Sequence, residues 1–165
     1  MRLNLGCGQV VEYGYVNCDI RPGPGVDVVC SIVDLSKHFN ESSADEIKLR
    51  HVLEHVPPDD ARTALREFHK VLRPGGFVRI IVPDLVFHAR QLLGQVKSSA
   101  EDQRRHVWAS LYGWRRTDLG GDAHDAHHWG YDEQELRTFL EAAGFVRAVR
   151  LDVMRPWHLD MVSYR

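Results

Sequence analysis

Long apolar runs are missing from this chain. No stretch approaches the roughly 18 consecutive apolar residues that suggest a membrane-spanning helix, although 44% of the 165 residues are hydrophobic. No basic-then-apolar segment precedes the first structured stretch, so no secretory leader is expected. Cysteine is scarce: Cys7, Cys18 and Cys30 are the whole complement. An odd number without a C-x-x-C pair speaks against a disulfide framework and a thiolate metal site. A reduced, cytoplasmic protein is the expectation. Excess charge of one sign is lacking too, with 21 basic against 23 acidic residues and a net charge of -2. That balance gives no broad electrostatic reason to bind nucleic acid or an anionic membrane. Repeats, coiled-coil heptads and low-complexity tails are absent, and the length suits one domain over residues 1–165.

What is present begins at once. Arg2 to Leu5 reads as a strand running straight into Gly6-Cys7-Gly8. Glycines after a strand let a ligand approach backbone groups at the carboxyl edge of an open α/β sheet. Only Gln9 to Gly14 separate this turn from the next strand, Tyr15 to Cys18. A full crossover needs a dozen or so residues, so the first crossover is abbreviated. A third, buried strand is expected over Val26 to Val33, a helical turn over Leu35 to Phe39, and a fourth strand over Glu46 to Val52. Pro57-Pro58 is read as a stop, with Asp59 or Asp60 capping a helix whose apolar face is Ala61, Ala64, Leu65, Phe68, Val71 and Leu72. Pro74-Gly75-Gly76 ends it.

Phe77 to Val82 is a fifth strand, and Arg79 within it calls for an acidic partner or the sheet edge. Asp84 caps a helix through roughly Val96. A long loop, Gly113 to Gly130, is rich in His, Asp and Trp; loops of this length in small domains are usually functional or disordered. Asp132 and Glu135 form a capping-box pattern for a last helix that Gly144 stops. Phe145 to Leu151 and His158 to Tyr164 follow as strands, the last pair as a hairpin with an antiparallel final strand. Alternating strands and helices imply an α/β fold: one doubly wound, Rossmann-like domain with a mostly parallel sheet of about seven strands.

Asp19 follows the second strand, where a carboxylate can accept both hydroxyls of a ribose. Asp34 follows the third strand, placed to accept from an adenine amino group with Leu35 against the ring. A dinucleotide site would want G-x-G-x-x-G and a helix N-terminus for pyrophosphate. Val11 replaces the third glycine and the first helix is nearly absent, so a nucleoside cofactor without phosphate fits better.

L3-N-L-G-C-G, N17-C-D19, D34-L, H51-V-L-E-H-V, V71-L-R-P-G-G and V82-P-D84, in this order, resemble the class I S-adenosylmethionine-dependent methyltransferases, above all the small methyltransferase-11-like proteins. Some of these are associated with saccharide modification. The resemblance spans nearly the whole chain. It implies S-adenosylmethionine as cofactor, with Asn4, Gly6, Cys7 and Gly8 around its amino-acid part. It places Asp19 on the ribose, Asp34 and Leu35 near adenine, and His51 lining the pocket. Asn4 stands where the family pattern has an acidic residue.

Methyl transfer needs alignment and exclusion of water, and a base when the acceptor arrives protonated. Histidine titrates near neutrality. His55, His124 and His128 are the candidate catalytic residues, with Trp114 and Trp129 as surfaces for a sugar or aromatic acceptor. Residues 97–130 are expected to cover the substrate. The acceptor is expected to be a small molecule or saccharide, methylated at oxygen or nitrogen, with no nucleic acid and no membrane span, in a monomer or homodimer. Two alternatives remain. One is a cofactor-binding or partner protein without turnover. The other is a metal-dependent enzyme using the His124–His128 cluster, whose H-x-x-H-H spacing suits a divalent ion.

Overall fold

The structure is a computed structural model that describes residues 1–114, 123–152 and 154–165. Its strands are β1 (Arg2–Leu5), β2 (Val16–Asp19), β3 (Val28–Val29), β4 (Ala44–Arg50), β5 (Leu72–Pro83), β6 (Val146–Arg150) and β7 (His158–Tyr164). The helices are α1 (Pro58–Val71), α2 (Leu85–Leu92), α3 (Gln103–Tyr112) and α4 (Glu133–Ala142). One sheet runs β3-β2-β1-β4-β5-β7-β6. β3 to β5 pair in parallel, while β7 is antiparallel to both β5 and β6. The chain therefore forms the expected mostly parallel, seven-stranded sheet with a final antiparallel hairpin. No described helix is long and apolar enough to cross a membrane.

Strand order reverses between β1 and β4. Chain leaving β1 goes outward to β2 and β3; chain from β4 goes the other way. Such a switch point opens a crevice at the carboxyl ends of the strands. Side chains on both sheet faces and along α1 fill the core: Leu3, Ile47, Leu49, Leu65, Phe68 and Ile80 are fully buried.

The short crossover is pinned by two stacked asparagines. Asn4 and Asn17 are register partners on β1 and β2. Asn4 Nδ2 donates to Val10 O at 3.0 Å and to Asn17 Oδ1 at 2.9 Å. Asn17 Oδ1 also accepts from Glu12 N at 2.9 Å, and its Nδ2 donates to Glu12 O at 3.2 Å. Side chains thus satisfy backbone groups that a helix would have satisfied itself.

Several expected boundaries move. Pro58 opens α1 rather than closing the preceding segment, since a proline in the first turn has no N–H to leave orphaned. Asp59 and Asp60 lie inside that turn and cap nothing through their side chains. β3 shrinks to two residues because Ser31 accepts from Val33 N and starts a 3-10 turn, Ile32–Lys37. β5 begins at Leu72, directly after α1, and carries Pro74-Gly75-Gly76 within it. α2 ends at Leu92, followed by Gly94 with φ of 74°. Arg79 has its acidic partner: a bidentate pair to Asp160 at 3.0 and 2.6 Å. Asp132 accepts from Glu135 N at 2.7 Å, but the Glu135 side chain accepts from Trp129 Nε1 instead of completing the box.

Candidate active site

Two cavities open at the switch point. The first, about 330 Å³, lies at the ends of β1, β2 and β4. Gly6, Gly8, Asp19, Ser31, Ile32 and Val52 line it. Gly6 has φ of 64°, and a Cβ there would sit 2.3 Å from a Val52 methyl. Only glycine satisfies both the turn and the contact. Asp19 is nearly buried. Its Oδ2 accepts from Gly8 N at 2.8 Å and its Oδ1 from Arg21 N at 3.0 Å. These bonds lock the glycine turn and aim the carboxylate, and each oxygen keeps a further lone pair.

The second cavity, about 530 Å³, is lined by six of the chain's ten histidines: His51, His55, His88, His106, His127 and His158. Trp114 and Trp157 add aromatic walls, and Ser110 and Asp125 polar ones. His51, His55 and Asp125 line both cavities, so the two meet there. Burial pushes His88 and His158 down to about 4. Burial also lowers His106 and His127. These four imidazoles are neutral at pH 7, each with a donor and an acceptor nitrogen.

His51 sits just past β4 with a left-handed φ of 55°. Its N–H donates to Ile81 O at 2.8 Å, which ties the turn to β5. Its Nδ1 lies 3.1 Å from Glu54 Oε1. An ionised carboxylate only accepts, so Nδ1–H donates and Nε2 carries the lone pair. Glu54 is 1% exposed and has this histidine, not an arginine, as its partner. His55 Nδ1 faces Ala126 O at 3.2 Å, and His127 Nδ1 faces Ser110 O at 2.9 Å. Their rings meet edge to face at 4.7 Å.

The expected site residues therefore divide. Gly6, Gly8 and Asp19 line the first cavity, and His51 and His55 line both. Asn4 does not reach either cavity, because its amide is committed to the crossover. Cys7 turns into the protein and is buried. Leu35 is fully buried in the core, and Asp34 pairs with Lys37 at 2.9 Å outside the lining. Ser31 and Ile32 take the place expected for them. The 3-10 turn causes this shift, since it begins three residues earlier than the sequence pattern suggests. His124 is exposed and lines the first cavity only. His128 is exposed and lines neither cavity; its backbone N–H donates to Glu54 O at 2.8 Å. Trp129 likewise stays outside, hydrogen-bonded to Glu135. Arg115, Arg116, Asp118 and Asp122 lie outside the described residues.

Sequence reasoning missed His88, His106, Trp157 and His158. They come from α2, α3 and the start of β7 with the residue before it, and only the fold converges them. The one usable signal was the hairpin, which sets His158 opposite Pro83.

A family model described as a methyltransferase domain matches residues 15–148. A search of curated proteins finds no match. Among solved structures, a 1,6-didemethyltoxoflavin-N1-methyltransferase of Burkholderia thailandensis, with bound 1,6-didemethyltoxoflavin and S-adenosylhomocysteine, is 20% identical. That match covers 99% of this chain and 70% of that one, with a TM-score of 0.62. An S-adenosylmethionine-dependent methyltransferase from Archaeoglobus fulgidus is 13% identical, with 99% and 85% covered and a TM-score of 0.65. One from Mesorhizobium loti is 17% identical, with 99% and 90% covered and a TM-score of 0.61. The structural likeness is a likeness of fold, and the family match spans most of the chain. The chain belongs to the family of S-adenosylmethionine-dependent methyltransferase domains with the class I, Rossmann-like fold.

Proposed function

We propose that the chain transfers a methyl group from S-adenosylmethionine, held in the first cavity, to a polar small-molecule or saccharide acceptor held in the second. Methylation falls on oxygen or nitrogen. The observation that carries this reading is the junction: two cavities of different character meet at His51, His55 and Asp125.

The first cavity fits a nucleoside without phosphate. Asp19 has lone pairs for ribose hydroxyls, Ile32 and Val52 offer apolar surface to a base, and Gly8 leaves its side of the turn open. When bound, the cofactor supplies an activated methyl carbon, so the protein has only to align the acceptor and keep water out. Neutral imidazoles in the second cavity hydrogen-bond hydroxyl or amine groups without the desolvation cost of a charge. Trp114 and Trp157 suit the apolar face of a sugar ring. The segment 97–130 covers the acceptor: α3 brings His106 and Ser110, and the following chain brings Trp114, Asp125 and His127.

His51 is the base that this geometry favours. Glu54 orients its ring and stabilises the imidazolium formed on proton uptake, leaving Nε2 to take the proton. His55, expected as the base from sequence, has only a backbone carbonyl at Nδ1 and lacks that support.

Calorimetric titration with S-adenosylmethionine and S-adenosylhomocysteine tests the cofactor site, with Asp19→Asn as the variant and NAD as the control. Micromolar binding of the first two, weakened at least about 30-fold by the variant through loss of charge-assisted hydrogen bonds, is expected. Labelled methyl transfer to a panel of saccharides and small phenols then tests turnover. Cofactor binding with no transfer to any acceptor class would favour a binding protein. No binding by folded protein would overturn the reading.

A further inference from the structure

Glu54 poses a problem of charge. It is 1% exposed, its Oε1 faces His51, and its Oε2 is buried with no hydrogen-bond partner among the described residues. No lysine or arginine pairs with it among the described residues. A buried carboxylate oxygen left bare is costly. Next to it stand two histidines in a matching state. A carbonyl can only accept, so His55 Nδ1–H donates to Ala126 O and His127 Nδ1–H to Ser110 O. Each neutral ring then presents Nε2 as a lone pair. Histidines that ligate metals have this arrangement, with the far nitrogen fixed on a carbonyl or carboxylate. Glu54, His55 and His127 each place one ligating atom within 4.8 Å of the others.

We propose that Glu54, His55 and His127 bind a divalent first-row transition ion such as Zn²⁺, with open coordination positions toward the acceptor cavity. Two imidazoles and one carboxylate are a nitrogen-rich donor set that favours such ions over Mg²⁺ or Ca²⁺. Bond lengths of about 2.0–2.2 Å need the three donors to close by roughly 1 Å, within the reach of side-chain rotation. His55 and His127 line the acceptor cavity with Glu54 behind them, so a hydroxyl of the acceptor can complete the shell. The ion explains why a carboxylate is buried there: one oxygen orients His51 and the other meets a cation. It also replaces the expected His124–His128 cluster. Of that loop only His127 joins a metal-competent group among the described residues. The orientation of an acceptor by the ion rests on the methyl-transfer reading; the ion site itself does not.

The test uses the whole chain stripped by chelator and titrated with Co²⁺, whose visible absorption reports nitrogen and oxygen ligation. One Co²⁺ per chain is expected, displaced by Zn²⁺ and indifferent to excess Mg²⁺. Glu54→Gln keeps the shape and His127→Gln the polarity; each should weaken Co²⁺ binding more than about 100-fold, beyond what loss of an outer partner costs. His128→Gln, one residue along and exposed, should bind as the parent does. S-adenosylhomocysteine binding and circular dichroism, measured on every variant, report the fold and the cofactor cavity separately. Folded, S-adenosylhomocysteine-binding protein that takes up no Co²⁺ overturns the metal site and leaves the cofactor reading standing. Co²⁺ binding that survives both Glu54→Gln and His127→Gln overturns it as well.

Discussion

Acid should unfold this protein through the walls of the second, histidine-lined cavity. His88 and His158 sit near 4 in the folded chain because burial penalises their charged forms, against an ordinary value of 6.5. Unfolding releases each ring to titrate normally. Between pH 4 and 6.5 the unfolded chain therefore binds more protons, and stability rises with pH across that window. It is fully present above 6.5 and is lost as pH falls. At pH 5 a fully shifted ring forfeits RT ln[(1 + 10^1.5)/(1 + 10^-1)], about 2 kcal/mol; solvent screening at the half-buried His158 cuts its share to about half, so the pair costs about 3 kcal/mol relative to pH 8. His106 and His127, also lowered by burial, act in the same direction. That is a large share of the roughly 5–15 kcal/mol that holds a domain together. Urea unfolding of chelator-treated protein at pH 8 and pH 5 measures it. With a urea slope of about 2 kcal/mol per molar, the midpoint should fall by about 1.5 M. His88→Gln removes the larger of the two contributions and should cut that fall to about 0.5 M, whatever it does to stability at pH 8. An unchanged midpoint between the two pH values, or an undiminished fall in His88→Gln, would refute the reasoning.

Two further outcomes follow from buried charge. Arg79→Met strands Asp160, which is fully buried and holds two of its bonds from that guanidinium; urea unfolding should show a loss of about 3–5 kcal/mol, most of it recovered in Arg79→Met/Asp160→Leu. Asp84→Ala removes the acceptor of Val86 N at 2.9 Å and Phe87 N at 3.1 Å, and the 2.8 Å partner of Arg150; about 1 kcal/mol of capping should vanish, and amide exchange should quicken first at Val86 and Phe87.

The fold was readable because its signals are local. Periodicity marked every strand and every helix except α3, which reads in sequence as a polar stretch, and the glycine turn, Asp19 and the final hairpin fell where pattern put them. Errors gathered where two local rules competed. Pro57-Pro58 reads as a breaker and also as a helix start, and only the packing of α1 chooses. The apolar run through Val33 promised a strand, but a two-residue edge strand with one neighbour gave way to a 3-10 turn. That shift moved the cavity lining from the expected Asp34 and Leu35 to Ser31 and Ile32. The second cavity was the least legible part. Its histidines lie on five separate segments, and no spacing in the sequence relates His88 or His106 to His51. The loop motif H-x-x-H-H drew attention to His128, although the chain there turns it outward and His127 inward.

Asn4 shows how a departure from a family pattern can be structural in origin. With an acidic residue at this position, the expected gain is a charge for the cofactor's ammonium group. Here the position has another duty. Asn4 Nδ2 is a donor facing two acceptors, Val10 O and Asn17 Oδ1. Asn17 is not free to flip, because its Oδ1 also holds Glu12 N while its Nδ2 serves Glu12 O and Tyr15 O. A carboxylate at position 4 would set an anion against two oxygens in a site 5% exposed. Two lost bonds and an unpaired buried acceptor should cost about 3 kcal/mol. The damage should spread to residues 9–14, whose backbone has no helix to fall back on. Asn4→Asp is thus expected to lower the urea midpoint and to weaken S-adenosylhomocysteine binding, since Gly8 opens the segment that loosens. A variant that keeps its stability and binds the cofactor more tightly would show that Asn4 faces the cofactor after all, and that the asparagine pair is dispensable to the short crossover.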